Sequence, residues 1–417
     1  MNLQLEEYLA YKPDEYQYFL QSLYSLYSVP NIILPFFGGY LVHIFGLSGL
    51  LKLLALLVTV GQIVFSIGLQ MKSSMIMYAG RFLFGIGGET LGVLQSQITS
   101  TWFREKELAL ALGLNICIGR LGSVLNDVLT PFAGKIGNVV FASWLGVLFC
   151  FLSCASAYYL AYLVELKSKH SSLNLEDANN FPLKFNFSRG FWLVCLLIIF
   201  SQSLMIPFNS IHAALLELKF FKGDTVMSAQ VMAVPDLISS FLVAPAGYLI
   251  DRYGHRTHIW IFCCFLVLIT HTTFFLTPSN STYSPVPALF ILGIAYSLIA
   301  TIWSAIPLLT HPSQFVSAFG IATSASNAAL VIFPYVVSMF ITFDRSYSAV
   351  ELFFILLAFL GGLVSLTLLR WDKKNGNALL LSQDIYMRNE IKESYNSLDE
   401  ELDDYIDDLL MTERIQD

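Results

Sequence analysis

Eleven apolar stretches, each near the length of a membrane-spanning helix, constrain this chain more than any other feature of its sequence. A helix needs about 20 consecutive apolar residues to cross the hydrocarbon core of a bilayer. The chain is 56% hydrophobic and 13% charged, whereas a soluble domain carries about 25% charged residues. The sequence therefore predicts an all-α polytopic membrane protein with spans at about 17–42, 50–70, 75–101, 108–130, 139–164, 190–216, 227–249, 258–277, 285–308, 315–341 and 349–370.

A polar segment divides these stretches into two groups. Residues 167–189 are too long for a helical hairpin and too short for a domain, so they predict a linker between an N-terminal bundle (1–166) and a C-terminal bundle (190–371). The formal net charge is -7, but residues 372–417 alone hold 13 acidic and 5 basic residues. We expect this acidic tail to be disordered. The remainder has no basic stripe that would favour a nucleic-acid partner.

The lysine and arginine residues predict the orientation in the membrane. They are concentrated in connections that include Arg104, Lys167, Arg252 and Lys373, and loops rich in these residues face the cytosol. The linker and the tail are therefore predicted to be cytosolic. The N-terminus has no basic region followed by an apolar core, so no cleavable signal peptide is expected. Asn280, in an Asn-Ser-Thr sequence, falls on the lumenal side and is a candidate glycosylation site.

The two halves share an internal repeat. At offsets of 207 or 208 residues, the matches are Gly39–Gly46 with Gly247–Gly254, Gly85-Ile86 with Gly293-Ile294, and Ala111–Leu114 with Ala318–Ile321. Two apolar stretches precede the second copy within its half, but one precedes the first, so internal symmetry predicts that the N-terminal half lacks its first helix. We expect a truncated gene model or a shortened isoform, with Met1–Asp14 as the lumenal loop after the absent helix.

The second copy of the repeat carries a recognisable motif. Residues 247–256 read Gly-x-x-x-Asp-Arg-x-Gly-His-Arg, between the second and third stretches of their half. This run resembles the loop signature of the major facilitator superfamily, which implies two pseudo-symmetric helical bundles, twelve helices and alternating access. Asp251, Arg252 and Arg256 are candidate gating residues whose cytosolic ion pairs keep one access state closed. The alternative is a positive-inside anchor alone. The first copy lacks the Asp-Arg pair, which predicts a weaker latch there.

Two opposite charges lie inside consecutive apolar stretches. Glu89 is near the middle of the third stretch and Arg120 is near the middle of the fourth, and glycines flank both. Ionisable residues inside spans indicate function by default, and folds of this kind bind substrate near the bilayer midplane. A guanidinium can bind a carboxylate bidentately and a carboxylate can bind an ammonium group, so the pair predicts a site for a zwitterion. The alternative is a Glu89–Arg120 ion pair that only joins two helices.

The repeat extends this candidate substrate site into the second half. Arg120 corresponds to Asn327, and Glu89 corresponds to Ser297, which follows Tyr296. The N-terminal half therefore supplies the charges, and we expect the C-terminal half to offer neutral hydrogen-bonding groups across the cavity.

Three further residues are weaker candidates with two interpretations each. Trp303 either lines the cavity or fills a helix interface. Arg81, eight residues before Glu89, either gates and steers the entering ligand or forms a structural pair near the lumenal end. His271 either titrates near lumenal pH or packs as a satisfied core residue. Glu89 or His271 would be the protonation site of a proton-coupled carrier.

Several local runs indicate a closer family. They are Gly80–Glu89, Trp102–Leu108, Arg120–Ser123, Tyr296–Leu298, Trp303 and Glu351–Phe354. Together these runs resemble the family of the major facilitator superfamily domain-containing protein 1, lysosomal dipeptide transporters, over most of residues 16–370. The resemblance implies dipeptide export from the lysosome by facilitated diffusion and a glycosylated single-span accessory subunit. It also implies that Glu89 and Arg120 are substrate-site residues.

The acidic tail holds a short candidate sorting signal. Residues 395–398 have the form Tyr-x-x-apolar, which sorting adaptors bind as an extended peptide through Tyr395 and Leu398. The alternative is a solvated tail without a signal.

The sequence contains no motif of an enzyme or a resident cofactor. It has no P-loop, no metal-ligand spacing and no nucleophile elbow. The leading hypothesis is a dipeptide uniporter of the lysosomal membrane that rocks two bundles about a central site. The alternatives are a proton-coupled carrier of another small organic ion and a truncated, non-transporting membrane scaffold or sensor.

The predicted orientation can be tested by glycosylation. We expect the chain expressed in cells to shift in mobility after PNGase F treatment, and Asn280→Gln to abolish that shift, because Asn280 faces the lumen. The control is Asn186→Gln, which removes the Asn-Phe-Ser sequence of the predicted cytosolic linker and should leave the shift intact. A shift that depends on Asn186 would indicate the opposite orientation in the membrane.

Overall fold

The described part of the chain is helical, which confirms the all-α prediction. The computed structural model describes residues 5, 8, 9, 19, 22, 23, 26, 27, 29–170, 187–221, 227, 228, 231–278, 284–343 and 347–392, and these contain no strand. A 3-10 turn, Pro35–Phe37, precedes the first helix. The helices are α1 (Gly38–Phe45), α2 (Leu47–Gln70), α3 (Ser74–Phe103), α4 (Leu108–Ile136), α5 (Val139–His170), α6 (Arg189–Lys219), α7 (Val234–Tyr253), α8 (Arg256–Leu276), α9 (Val286–Ala300), α10 (Phe315–Phe343) and α11 (Ser348–Lys374). The 3-10 turn Thr301–Ala305 and the short helix Ile306–Leu309 extend α9.

Most of these helices can cross a membrane. Among the described residues, eight are long and apolar enough: α2, α5, α6, α7, α8, α9 with its extension, α10 and α11. Val29–Phe45 and Leu108–Gly122 are shorter apolar helices. The 30-residue α3 carries Arg81 and Glu89, which lower its hydropathy. Each of the eleven predicted stretches therefore contains helix.

The first described residues are helical, which differs from the expected loop over Met1–Asp14. They pack on α2, α3 and α5 in a small cluster of Leu5, Leu9, Phe19, Leu23, Phe65, Leu69, Met77 and Val139. The Lys72 ammonium lies 4.5 Å from the centre of the Tyr8 ring. Apolar residues spaced by four form one helical face, and here that face is covered by the N-terminal bundle.

The helices form two bundles that meet mainly around α4 and α10. In the N-terminal bundle, α2 packs on α3 and α5. In the C-terminal bundle, α8 packs on α11, α7 on α9, and α6 on both α10 and α11. The bundles contact each other where α4 packs on α7 and on the turn Thr301–Ala305, and where α10 packs on α3 and on α1 with its preceding turn.

Repeated glycines allow the close approach of α4 and α7. A Cβ atom at Gly247 would overlap the carbonyl oxygen of Ala109, and one at Gly113 would lie 3.0 Å from the carbonyl oxygen of Val243. Small residues let membrane helices pack backbone against backbone, because lipid gives two helices no hydrophobic reason to associate.

The same arrangement recurs at the crossing of α1 and α10. A Cβ atom at Gly39 would overlap the Ser317 side chain, and one at Gly320 would overlap the carbonyl oxygen of Pro35. Gly39 is the repeat counterpart of Gly247, at an offset of 208 residues. Four of the glycines that defined the repeat in the sequence, Gly39, Gly113, Gly247 and Gly320, therefore lie where the bundles touch.

The chain after α11 packs against one end of both bundles, which differs from the expected disordered tail. Asp372 is still helical and fully buried, and Leu379 and Gln383 are buried in the segment that follows. The described part of this segment ends at 392 in a helix that begins at Gln383. We call this end of the molecule, marked by Arg104, Gly254 and Asn375, the tail face.

A Cβ atom at Gly247 should separate α4 from α7. We expect Gly247→Ala to destabilise the purified protein by about 1–3 kcal/mol, the usual cost of overpacking, seen as a lower melting temperature in detergent. The control is Gly49→Ala, at an exposed position of α2. Nothing lies within 4 Å of the atom added there, so alanine should be neutral or stabilising. Equal melting temperatures for the two variants would contradict the close crossing.

Candidate functional site

Glu89 lies near the middle of α3, where glycines admit a neighbouring helix. A Cβ atom at Gly85 would lie 2.6 Å from the carbonyl oxygen of Tyr27, and one at Gly88 would lie 3.1 Å from its hydroxyl. Because these positions are glycines, Tyr27 reaches Glu89 and donates a hydrogen bond from its hydroxyl to Oε1 over 3.1 Å. The carboxylate is half-buried.

A chain of hydrogen bonds connects Glu89 to the C-terminal bundle. Asn31 Nδ2 donates to the carbonyl oxygen of Tyr27 over 3.0 Å. Asn327 Nδ2, on α10, donates to the carbonyl oxygen of Asn31 over 3.0 Å. Tyr27 and Asn31 therefore connect Glu89 to the interface between the bundles.

Arg120 lies near the middle of α4 and contacts the C-terminal bundle directly. Its Nη1 donates to the hydroxyl of Ser239 on α7. Asp236, on the same helix, and Tyr296, on α9, lie close enough to interact with it electrostatically. One turn earlier on α4, Cys117 Sγ donates to the carbonyl oxygen of Ser240 over 3.1 Å.

The two interbundle polar bonds are related by the repeat. Arg120 corresponds to Asn327 at an offset of 207, and Asn31 corresponds to Ser239 at an offset of 208. The bond from Arg120 to Ser239 is therefore the counterpart of the bond from Asn327 to Asn31. A charged donor occupies this position in one half and a neutral donor occupies it in the other.

Glu89 and Arg120 are not paired with each other. Both side chains are described, and no ion pair joins them. The alternative in which these charges only join α3 to α4 is therefore absent from this conformation. Arg120 instead bonds Ser239 across the bundle interface, and Glu89 accepts a hydrogen bond from Tyr27 of its own bundle.

The other predicted cavity residues differ in whether their polar groups have hydrogen-bond partners. Tyr296 is 1% exposed, and its hydroxyl has no hydrogen-bond partner in the described chain. Ser297 is also buried, but its hydroxyl donates to the carbonyl oxygen of Ile294 on its own helix over 2.7 Å. Trp303 is half-buried in the 3-10 turn that packs against α4 and α7. Tyr296 is therefore the residue of the three with free hydrogen-bonding capacity.

The guanidinium of Arg81 lies over aromatic rings of its own bundle. Its Cζ is 4.5 Å from the centre of the Phe65 ring and 5.6 Å from that of Phe84. A cation over an aromatic face gains about 0.5–2 kcal/mol. These contacts place Arg81 on the N-terminal bundle, eight residues before Glu89.

Two of the three candidate gating residues form the contact that was expected of them. Asp251 accepts hydrogen bonds from the amides of Ala109 and Leu110, over 3.0 and 2.9 Å, at the first turn of α4. It also pairs with Arg256 Nη2 over 3.2 Å. A helix N-terminus carries unpaired amides and a partial positive charge, which a carboxylate satisfies. These hydrogen bonds join the C-terminal bundle to the N-terminal bundle at the tail face.

Arg252 does not take part in that contact. It is exposed, donates to the Tyr248 hydroxyl over 3.4 Å and lies 5.6 Å from the centre of the Tyr253 ring. These contacts stay on α7, so they fit the anchor interpretation of this arginine.

His271 lies inside the C-terminal bundle. Its Nδ1 is 2.7 Å from Oε2 of Glu351 on α11, and the two side chains are 1% and 0% exposed. Phe208, Phe274 and Phe354 surround the imidazole. The pair therefore joins α8 to α11 within one bundle.

Sequence reasoning missed Tyr27, Asn31, Ser239 and Glu351 as partners of the candidate residues. The repeat offset pointed to Asn31 and Ser239 as related positions, once Arg120 and Asn327 were matched. Nothing local distinguishes Tyr27 from the chain's 20 tyrosines. Asn280, Tyr395 and Leu398 lie outside the described residues. Among those described, no group of His, Cys, Asp and Glu could hold a metal ion.

Comparisons with known proteins agree with this architecture. The family model of the Major Facilitator Superfamily matches residues 3–334. The lysosomal dipeptide transporter MFSD1 of Homo sapiens is 30% identical over 355 residues, which are 80% of this chain and 74% of that protein. The protein of the same name from Danio rerio is 30% identical over 350 residues, with the same coverage of 80% and 74%.

Solved structures share the fold at low identity. The human organic anion transporter MFSD10 aligns with a TM-score of 0.65 at 13% identity, over 87% of each chain. The proton:xylose symporter XylE aligns with a TM-score of 0.62 at 14% identity, over 90% of this chain and 89% of that one. Since the matched family and the named relatives are transporters, the activity of this chain is membrane transport. The chain belongs to the major facilitator superfamily and, within it, to the MFSD1 family.

Proposed function

We propose that this chain is a dipeptide uniporter of the lysosomal membrane that exports dipeptides to the cytosol by alternating access. The observation that carries the proposal is the placement of Glu89 and Arg120. Two opposite charges lie near the middle of their helices and are not paired with each other. Arg120 bonds Ser239 across the bundle interface, and Glu89 accepts from Tyr27, which connects to that interface through Asn31. The names of relatives at 30% identity support dipeptides as the substrate class.

A dipeptide offers one group of each sign at its two ends. Arg120 binds the carboxylate, and Glu89 binds the amino terminus. The buried hydroxyl of Tyr296, which has no partner in the described chain, and the Asn327 amide supply neutral hydrogen bonds to the peptide. Charge-assisted hydrogen bonds are about twice as strong as neutral ones, so the two ends of the substrate provide most of the recognition.

Binding of this kind couples to movement of the bundles. Arg120 now bonds Ser239 across the interface, and a substrate carboxylate replaces that partner. Asn327 bonds Asn31 in the same way. A ligand that replaces interbundle bonds lowers the cost of separating the bundles, because it satisfies the groups that separation would leave unpaired.

The orientation follows from the positive-inside rule. We place the tail face in the cytosol, because the loops rich in lysine and arginine lie there. The bonds of Asp251 to the first turn of α4 close that face, and we infer that this conformation faces the lumen. The glycosylated accessory subunit and the adaptors that read Tyr395 and Leu398 remain expected partners.

Removing either charge should abolish exchange. In counterflow of labelled dipeptide into proteoliposomes, we expect Arg120→Ala and Glu89→Gln each to reduce uptake about tenfold or more, since charged hydrogen bonds contribute about 1.5–3 kcal/mol. The control is Glu165→Gln, which removes an exposed ion pair with Lys52 within the N-terminal bundle and should leave uptake unchanged.

Counterflow also separates the rival functions. Uptake that survives both charge substitutions would refute the assigned roles. Absence of uptake by the unaltered chain would favour the non-transporting scaffold.

An imposed pH gradient should not drive accumulation. His271 is sequestered with Glu351 inside one bundle, so we expect labelled dipeptide to equilibrate across the vesicle membrane and not to concentrate. We also expect His271→Gln to lower the melting temperature, because breaking a buried pair costs about 3–5 kcal/mol. Uphill accumulation that is lost in His271→Gln or Glu89→Gln would instead identify a proton-coupled carrier.

A further inference from the structure

The segment after α11 turns back under the bundles. Asn377 and Gly376 adopt positive φ angles of 59° and 92°, which reverse the chain. Asp372 organises this turn: its carbonyl accepts from the Asn377 amide over 3.0 Å, and its Oδ1 accepts from the Leu379 amide over 3.1 Å. The reversal directs residues 377–390 across the tail face, and we call this stretch the tail clamp.

The first part of the tail clamp is bonded to the C-terminal bundle. The amides of His255 and Arg256 donate to the carbonyls of Leu380 and Leu379, each over 3.0 Å. Gly254, at the same loop, has no room for a side chain, because a Cβ atom there would overlap Leu380. These contacts are largely backbone bonds, and they fix the segment in place beneath α7 and α8.

The second part of the tail clamp reaches the N-terminal bundle. Glu390 Oε1 pairs with Arg104 Nη2 over 2.8 Å, with side chains 34% and 15% exposed. Gln383 is 1% exposed, and its Nε2 donates to the carbonyl oxygen of Arg104. Arg104 follows the last residue of α3, so both bonds cross from one bundle to the other.

Arg256 connects the tail clamp to Asp251, which bonds the first turn of α4. One guanidinium nitrogen, Nη2, donates both to Asp251 Oδ1 over 3.2 Å and to Gln383 Oε1 over 3.0 Å. The other, Nη1, donates to the Leu381 carbonyl over 3.1 Å. Arg256 is fully buried, so its charge depends on these acceptors.

These bonds form a closed circuit across the interface. It runs from the amides at the start of α4 to Asp251, to Arg256, to Gln383 and back to the carbonyl of Arg104. Both ends of the circuit lie on the N-terminal bundle, on either side of the α3–α4 connection, and its middle lies on the C-terminal bundle. Opening the tail face must break it at both ends.

We propose that the tail clamp holds the tail face closed, and that its two bonds to Arg104 must break before that face opens. The clamp acts as an autoinhibitory brace, because it adds two interbundle bonds that only the closed conformation can make. This inference rests on the proposed function to the extent that alternating access opens the tail face. It assigns a conformational role to a segment that composition predicted to be disordered.

The test measures opening of the tail face without substrate. In a background with the native cysteines replaced, spin labels at Gly49→Cys and Lys373→Cys, two exposed positions on different bundles, report the distance across this face by pulsed electron resonance. We expect Gln383→Ala combined with Glu390→Gln to at least double the share of molecules at the longer distance. Glu390→Gln alone, which removes one half-exposed ion pair and should fold normally, is expected to give an intermediate increase.

A control variant separates bracing of the interface from packing within one bundle. Tyr386 donates its hydroxyl to the Leu308 carbonyl on the C-terminal bundle over 3.1 Å, so Tyr386→Phe should leave the distances unchanged. Distances that stay unchanged in both Glu390 variants, while the protein remains folded, would overturn the proposal. Because the measurement needs no dipeptide, a positive result with no counterflow would refute the proposed substrate and not the clamp.

Discussion

The close crossing of α4 with α7, repeated by pseudo-symmetry where α1 crosses α10, determines where the functional groups of this chain can act. Lipid gives two apolar helices no reason to associate, so packing and polar bonds must hold the bundles together. Glycines at 39, 113, 247 and 320 bring the backbones into contact. That contact then places the first turn of α4 within reach of the Asp251 carboxylate.

One polar position at the bundle interface occurs in both halves of the repeat, with a different side chain in each. In one half, Arg120 donates to Ser239, and in the other, Asn327 donates to the Asn31 carbonyl. The two bonds join corresponding positions of the repeat, but only the Arg120 donor carries charge. Glu89 also has no charged counterpart in the second half. The charges at the interface are therefore distributed asymmetrically between the two halves. Under the proposed function, a substrate with unlike ends would be held in one orientation, whereas a symmetric pair of sites would accept it in two.

The sequence predicted features that depend on local pattern and on symmetry. Helices followed from apolar length, and the Asp251–Arg256 ion pair followed from a motif next to a helix end. The partners Tyr27 and Glu351 were not predicted, because a single sequence does not reveal which distant side chains meet. His271 reaches Glu351 across the α8–α11 interface. Composition also misjudged residues 377–390, since buried backbone bonds, and not apolar content, hold them.

The distribution of charged bonds distinguishes helices that stay packed within one bundle from the surfaces between bundles that can separate. The pairs His271–Glu351 and Asp251–Arg256 each lie within the C-terminal bundle, and their side chains are at most 6% exposed. Breaking such a pair would leave an uncompensated buried charge, so these pairs suit a unit that moves rigidly. Between bundles, the bonds end on a hydroxyl, on carbonyls and amides, or on the half-exposed Glu390. Water or substrate can replace partners of that kind at low cost. The bundles can therefore separate without disrupting their own interiors, which is the physical requirement of alternating access.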